Sequence, residues 1–159
     1  MLTVAEVTAG DCLPPLAHHV TATTIVLGAL STRDYRPMHH DRSFAVDRNG
    51  VQDIFMNTPN QIGWFARYVS DWSGGARLGE MRLRMIQPVF AGDPMTLTGC
   101  VTAVHAPEDG LAWVELDLAL TVGDLVKSTC AVAVALPVSA AVDPWDRRGD
   151  QWRPFQTRE

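Results

Sequence analysis

The strongest constraint on the fold is one apolar helix signal that is followed by a series of strand signals. Apolar side chains recur at helical spacing over Thr58–Trp72. Thr58 is a favourable N-cap residue, Pro59 suits the first helical position, and Gly74-Gly75 ends the helix. The pattern predicts a helix of about 14 residues with one buried face.

Four segments after this helix have the composition and alternation of strands: Met81–Met85, Met95–His105, Leu111–Val122 and Leu125–Leu136. Short turns of Gly, Asp and Pro separate the last three, which predicts an antiparallel meander. One buried helix and a long antiparallel sheet make an α+β fold in which a curved sheet wraps around the helix. The edge of such a sheet needs a cover, which favours dimerisation.

The first third of the chain gives weaker signals. Thr24–Leu30 is a short apolar run that periodicity assigns to neither a helix nor a strand. Asp34–Asn57 is polar and predicted to be irregular. Loops of this kind on a rigid scaffold often carry functional residues.

Composition excludes several classes of protein. The 159 residues include 13 Lys and Arg against 18 Asp and Glu, and the net charge of -5 gives no general attraction for nucleic-acid phosphates. No signal-peptide pattern begins the chain, and the longest apolar stretch, Cys130–Val142, is too short to span a bilayer. We therefore expect a cytoplasmic protein with neither a nucleic-acid nor a membrane partner.

The three cysteines, Cys12, Cys100 and Cys130, are odd in number and widely spaced. This arrangement predicts buried, reduced thiols and no disulfide framework or zinc site.

A polar tail, residues 143–159, follows the predicted domain of residues 1–142. It carries three large aromatic side chains, Trp145, Trp152 and Phe155, which a freely mobile tail rarely keeps. We expect the tail to dock on its own domain or on a partner; the alternative is disorder.

Asp34 and His39 are the strongest candidates for chemistry. Pro37 lies between them and restricts the connecting backbone, so both side chains can face one cleft. A carboxylate and a neutral imidazole can hold one water and take its proton. The alternative is a solvated Asp and a surface His in a polar loop. The adjacent His40 and Asp41 do not give a metal-ligand spacing, so we predict no metal site.

The entrance of the predicted helix is the second candidate. Backbone amides near Asn57 or Thr58 lack helical acceptors, and the positive end of the helix dipole adds to their field. Together they would stabilise a developing negative charge, such as a thioester enolate oxygen. Ordinary capping is the alternative, because every helix begins in this way.

The segment Asp34–His39 (DYRPMH) resembles the D-x-N-P-[LIV]-H signature of the MaoC-like, (R)-specific enoyl-CoA hydratases. Other likenesses occur in the family's order. Gly10–Pro15 looks like the opening G-D-x-L-P-P-L, His39–Asp41 like the H-x-D continuation, and Val89–Asp93 like the P-V-F-x-G-D turn. The resemblance covers roughly residues 8–137 and implies a single hot-dog domain that pairs with another.

The resemblance also implies a reaction and its residues. In the family, the residues that match Asp34 and His39 activate a water that adds to C3 of a trans-2-enoyl-CoA. A main-chain amide at the helix entrance, here Asn57 or Thr58, binds the thioester oxygen. The product is a (3R)-3-hydroxyacyl-CoA, and no cofactor is required. The chain departs from the motif at Arg36, where the family has Asn.

The helix entrance Asn57–Pro59 replaces the family's common H-G-M. With Asp34 and His39 retained, this variant is most similar to the small MaoC subunits of actinobacterial steroid side-chain degradation. That likeness implies a steroid-enoyl-CoA substrate and an assembly with a second MaoC-type chain, although a homodimer stays open.

Two other functions compete with hydration. A hot-dog acyl-CoA thioesterase would direct water at C1 of the thioester. A non-catalytic, acyl-binding subunit of a hetero-oligomeric hydratase would explain the altered helix entrance, but Asp34 and His39 would then have no evident role.

Overall fold

A computed structural model of the chain describes residues 1–155. Its α-helices are α1 (Ala22–Ser31), α2 (Arg42–Asp47) and α3 (Thr58–Ser73), and its strands are β1 (Leu16–His19), β2 (Arg77–Met85), β3 (Pro94–Val104), β4 (Leu111–Val122) and β5 (Leu125–Pro137). The strands form one antiparallel sheet in the order β1-β3-β4-β5-β2. The predicted meander is confirmed as β3, β4 and β5. None of the helices in residues 1–155 has the length and apolar character needed to cross a membrane.

Helix α3 is the predicted central helix, and it ends at Ser73, one residue beyond the Thr58–Trp72 pattern. Asn57, not Thr58, is the N-cap: its Oδ1 accepts a hydrogen bond of 3.1 Å from the Asn60 amide. Gly74 ends the helix in the left-handed conformation, at φ 69°, which a glycine adopts without strain.

The core lies between α3 and one face of the sheet. Phe65 of α3 is fully buried, as are Val114 and Leu120 of β4, and all belong to one apolar cluster. The alternate residues of β4, Trp113 among them, point to the opposite face. This layout is the α+β hot-dog arrangement that the sequence predicts.

The first part of the chain is more regular than expected. The ambiguous run Thr24–Leu30 lies in α1, because Thr21 caps that helix and Ile25 and Ala29 bury one of its faces. The segment predicted to be irregular, Asp34–Asn57, contains a 3₁₀ turn at Pro37–His39 and the short helix α2. Sequence periodicity missed β1 because it has only four residues.

The tail docks on its own domain as far as the structure describes it. The rings of Trp152 and Phe155 lie 5.3 and 5.5 Å from that of Trp113, and Arg77 stacks on Trp152 at 3.5 Å. Trp145 donates a hydrogen bond of 2.9 Å from its indole to the Gly75 carbonyl. The tail and the sheet line an open pocket of about 690 Å³. The last four residues, 156–159, lie outside the described part, and the domain boundary at 142 stays a prediction.

The prediction of three reduced thiols is wrong. Cys12 and Cys100 form a disulfide that closes an 88-residue separation, and only Cys130 is a free, buried thiol. An isolated antiparallel bridge between Cys12 and Cys100 brings their backbones together. This contact joins residues far apart in sequence, so the spacing of the cysteines does not predict it. Burial raises the pKa of the Cys130 thiol to about 11, so this group stays protonated and unreactive at neutral pH.

Candidate functional site

The structure brings the side chains of Asp34 and His39 together. Helix α1 ends just before Asp34, whose amide donates to the Ala29 carbonyl at 2.9 Å. The 3₁₀ turn at Pro37–His39 then carries His39 back towards it, and His39 Nε2 lies 3.4 Å from Asp34 Oδ2. His39 is 3% exposed and the Asp34 side chain 12%, so this pair is largely shielded from bulk water.

A backbone carbonyl fixes the orientation of the His39 ring. His39 Nδ1 lies 2.7 Å from the carbonyl oxygen of Phe55, and a carbonyl only accepts, so Nδ1 carries the hydrogen. In the neutral ring, Nε2 therefore presents a lone pair towards Asp34. Phe55 is itself held by a backbone bridge to Phe90, which belongs to the Val89–Asp93 turn. That turn thus supports His39 through Phe55.

The Asp34 carboxylate is surrounded by hydrogen-bond donors. Arg36 donates from Nε and Nη2 at 2.8 and 2.9 Å, and Asn57 Nδ2 donates at 3.1 Å. The Arg36 hydrogen bonds hold the pKa of Asp34 well below its usual range; burial opposes this, and the Asn57 bond adds to it. Asp34 is therefore a carboxylate at neutral pH.

Replacing Arg36 with glutamine is expected to raise the pKa of Asp34 towards its ordinary value of about 3.9, because the largest cause of the lowering is removed. A carboxyl with a lowered folded-state pKa stabilises the fold above its unfolded pKa, and this contribution is lost as pH falls through the folded pKa. In Arg36→Gln the contribution is smaller, and its loss is complete at a higher pH than in the wild type. Carbon NMR titration of the aspartate carboxyls measures the shift.

Arg42→Gln is the matched control, since Arg42 pairs with Asp53 and is as exposed as Arg36. It should leave the Asp34 titration where it is in the wild type. An unmoved Asp34 titration in Arg36→Gln would contradict the assignment of the pKa lowering to Arg36.

Asn57 links the helix entrance to Asp34. The residue is 2% exposed, and its side chain caps α3 through Oδ1 while Nδ2 donates to both Asp34 and Thr32 Oγ1. Asn60 adds a second link between α3 and α1, because its Nδ2 donates to the Thr24 carbonyl at 3.1 Å. A Cβ added to Gly28 would overlap the Asn60 side chain, so glycine at this position leaves room for Asn60 to make this bond.

The other predicted site residue, Thr58, lies in the first turn of α3. Its hydroxyl donates to Met85 Sδ at 2.8 Å. The amide of Asn60 is capped, and Pro59 has none. The Thr58 amide is therefore the first-turn donor that no capping bond uses.

Two buried polar side chains, Gln61 of α3 and Ser128 of β5, have side-chain atoms without a hydrogen-bond partner in the described part of the chain. Gln61, one turn after Asn57, is fully buried, and neither of its side-chain amide atoms has a hydrogen-bond partner among residues 1–155. Ser128 of β5 is likewise buried with an unpaired hydroxyl, and it pairs in the sheet with Met85, the residue that Thr58 contacts. Buried polar atoms are normally satisfied, so each of these two side chains marks a position that suits a water or a polar substrate atom.

Sequence reasoning missed the side-chain role of Asn57, the Arg36 ion pair and the Phe55 carbonyl. Only Arg36 gave a usable signal, since an acid and an arginine two residues apart can pair. Asp41, considered beside His39, instead caps α2. Among the described residues, no group of three or more His, Cys, Asp or Glu side chains is arranged to hold a metal ion.

No known family model matches the chain, but individual proteins do. It is 40% identical over 126 residues to the 3-oxo-4,17-pregnadiene-20-carboxyl-CoA hydratase beta subunit of Mycobacterium tuberculosis. The matched residues cover 79% of this chain and 95% of that protein. The crystal structure of the ChsH1-ChsH2 complex from the same organism matches with a TM-score of 0.69 and 37% identity, over 81% of this chain and 98% of the other.

More distant structures agree in fold. The (R)-hydratase of A. caviae involved in PHA biosynthesis matches with a TM-score of 0.70 at 21% identity, over 82% of this chain and 98% of that one. A MaoC-like dehydratase from Rhodospirillum rubrum matches with a TM-score of 0.76 at 17% identity, over 86% of this chain and 97% of that one. The chain therefore belongs to the MaoC-like hydratase family, among the relatives of the mycobacterial steroid hydratase beta subunit.

Proposed function

We propose that the chain is a catalytic subunit that hydrates a trans-2-enoyl-CoA to a 3-hydroxyacyl-CoA. The observation that carries the proposal is the Asp34–His39 pair. The His39 lone pair and the Asp34 carboxylate are two acceptors 3.4 Å apart. Two acceptors cannot bond to each other, but one water can donate a hydrogen to each of them. Such a water has its oxygen lone pairs free for attack.

The reaction adds this water across the C2=C3 bond. The water oxygen bonds to C3 while one of its protons passes to the Asp34–His39 pair, and C2 then receives a proton from that pair. Proton transfer of this kind contributes about 10²–10⁴ to the rate. The protein needs no cofactor for these steps, because the thioester carbonyl makes C3 electrophilic.

The negative charge that develops on the thioester oxygen needs a donor. The Thr58 amide suits this role, because it is uncapped and lies at the positive end of α3. Asn57 at the same helix entrance donates from its side chain to Asp34, and its backbone amide is the alternative oxyanion donor. One oxyanion donor contributes about 10²–10³ to the rate.

We also propose a bulky, steroid-type acyl group for the substrate and a second MaoC-type chain as the partner. The mycobacterial relative is named for a steroid-type acyl-CoA, and the solved structure at 37% identity is a complex of two different chains. Apolar side chains of α1 and of the loop that follows it, among them Leu27, Leu30 and Tyr35, are at least half exposed. They suit contact with a bulky acyl group or with the second MaoC-type chain of a cytoplasmic hetero-oligomer. The open edge of β2 likewise suits a second chain.

The test is a hydration assay on the purified chain, alone and co-expressed with neighbouring gene products, with mass determination of each assembly. Loss of the conjugated enoyl absorbance is followed with a steroid-enoyl-CoA and with crotonyl-CoA. We expect turnover without release of free CoA, and faster turnover of the steroid substrate by the hetero-oligomer. Release of free CoA, detected with a thiol reagent, would identify a thioesterase instead. No turnover in any assembly would overturn the proposal.

A further inference from the structure

The Asp34 carboxylate has no acceptor position left for a water. A carboxylate offers about four lone-pair directions. Arg36 occupies two of them with its guanidinium, and Asn57 Nδ2 occupies a third. The Arg36 backbone amide, 3.4 Å from Oδ1, takes the fourth. If Asp34 is to bind the water of the proposed reaction, one of its donors must first leave.

Arg36 is the donor that can leave. Asn57, the other side chain that donates to Asp34, is buried and is also bound to the helix cap and to Thr32. The Arg36 side chain is 68% exposed, and in the described part of the chain its guanidinium bonds only to Asp34. Because the Arg36 guanidinium is exposed, water, salt and other anions can compete for it, and it is easier to release than the buried Asn57.

A guanidinium that leaves a carboxylate needs another anion. A CoA thioester carries phosphate groups, and the planar fork of arginine matches phosphate oxygens as well as it matches a carboxylate. The chain has a net charge of -5, so a mobile cation beside the site also favours entry of an anionic substrate.

We propose that Arg36 exchanges partners during the reaction, leaving Asp34 for a phosphate of the incoming CoA thioester. The exchange couples substrate binding to the release of the carboxylate, so that Asp34 becomes free to hold a water only when substrate is present. Arg36 thereby acts as a positioning and specificity residue for the CoA moiety. The inference rests on the proposed hydratase function.

The test compares Arg36→Gln with wild type, each in the assembly that hydrates enoyl-CoA. Two substrates carry the same enoyl group, one on CoA and one on N-acetylcysteamine, which has no phosphate. We expect the variant to raise KM for the CoA substrate by about 10-fold, the effect of losing one charge-assisted contact. With the phosphate-free substrate we expect kcat/KM to rise by about 2- to 5-fold, because no ion pair has to be broken first.

Arg42→Gln controls for the loss of an exposed arginine, and it should change neither substrate's kinetics. Equal losses on both substrates in Arg36→Gln would mean that Arg36 only holds Asp34 in place, and would overturn the exchange. Unchanged kinetics on both would overturn it as well. An inactive wild type is a different result: it refutes the hydratase function, and the exchange falls with it.

Discussion

Asp34→Asn is expected to lower kcat/KM for enoyl-CoA hydration by about 10²–10⁴-fold, the usual contribution of a positioned acid-base group. The amide that replaces the carboxylate has nearly the same shape, so the fold should be kept. Its NH₂ group, however, cannot take a proton from water. His39→Ala should cause a loss of similar size, since it removes the lone pair at Nε2.

The two substitutions should not be additive. Asp34 and His39 act on one water, and removing either partner removes most of the benefit of the other. The double variant should therefore be only slightly slower than the single ones. Steady-state kinetics with all three variants, alongside circular dichroism, measures this.

Asp53→Asn is the matched control for Asp34→Asn, because Asp53 also pairs with an arginine but lies outside the site. Its activity should equal that of the wild type. If both site variants turned over substrate at the wild-type rate within a hetero-oligomer, the chain would be the non-catalytic, acyl-binding subunit, and its partner would supply the chemistry.

The elements that the sequence predicted well are those in which buried and exposed residues alternate with the regular period of a strand or a helix. Strand β4 was predicted with its observed bounds, Leu111–Val122, because its inward residues alternate without interruption. Helix α3 was recognised from its apolar stripe and its terminal glycine. Helix α1 remained ambiguous, since its run of apolar residues includes the exposed Leu27 and Leu30 and so blurs the helical period.

The site was predictable only where its residues are close in sequence. Asp34 and His39 share one short segment, so their meeting needs only a turn. Asn57 reaches Asp34 across 23 residues, and Phe55 reaches His39 across 16. Such contacts depend on the packing of α1 against α3 and on the pairing of the Phe55 and Phe90 backbones, which no local pattern encodes. The disulfide was missed for the same reason.

Asn57 is where the second large effect is expected, since one side chain both caps α3 and orients Asp34. Asn57→Ala loses the cap and a buried donor, and should lower the free energy of unfolding by about 1–3 kcal/mol. Asn57→Ser keeps a good cap but has no group that reaches Asp34, so it should be clearly more stable than the alanine variant. Both should lose about 10-fold in kcat/KM, because the Asp34 carboxylate is no longer held.

Asn57→Asp separates positioning from capping. Aspartate caps as well as asparagine does, but it faces Asp34 with a like charge and should raise the pKa of the pair. Its kcat/KM should therefore fall most steeply as pH is lowered, a change that mere loosening of α3 would not produce. Urea unfolding and the pH profile of kcat/KM distinguish the cases. If Asn57→Ser kept wild-type kinetics, the Asn57–Asp34 hydrogen bond would have no catalytic role, and the carboxylate would be oriented by its own loop alone.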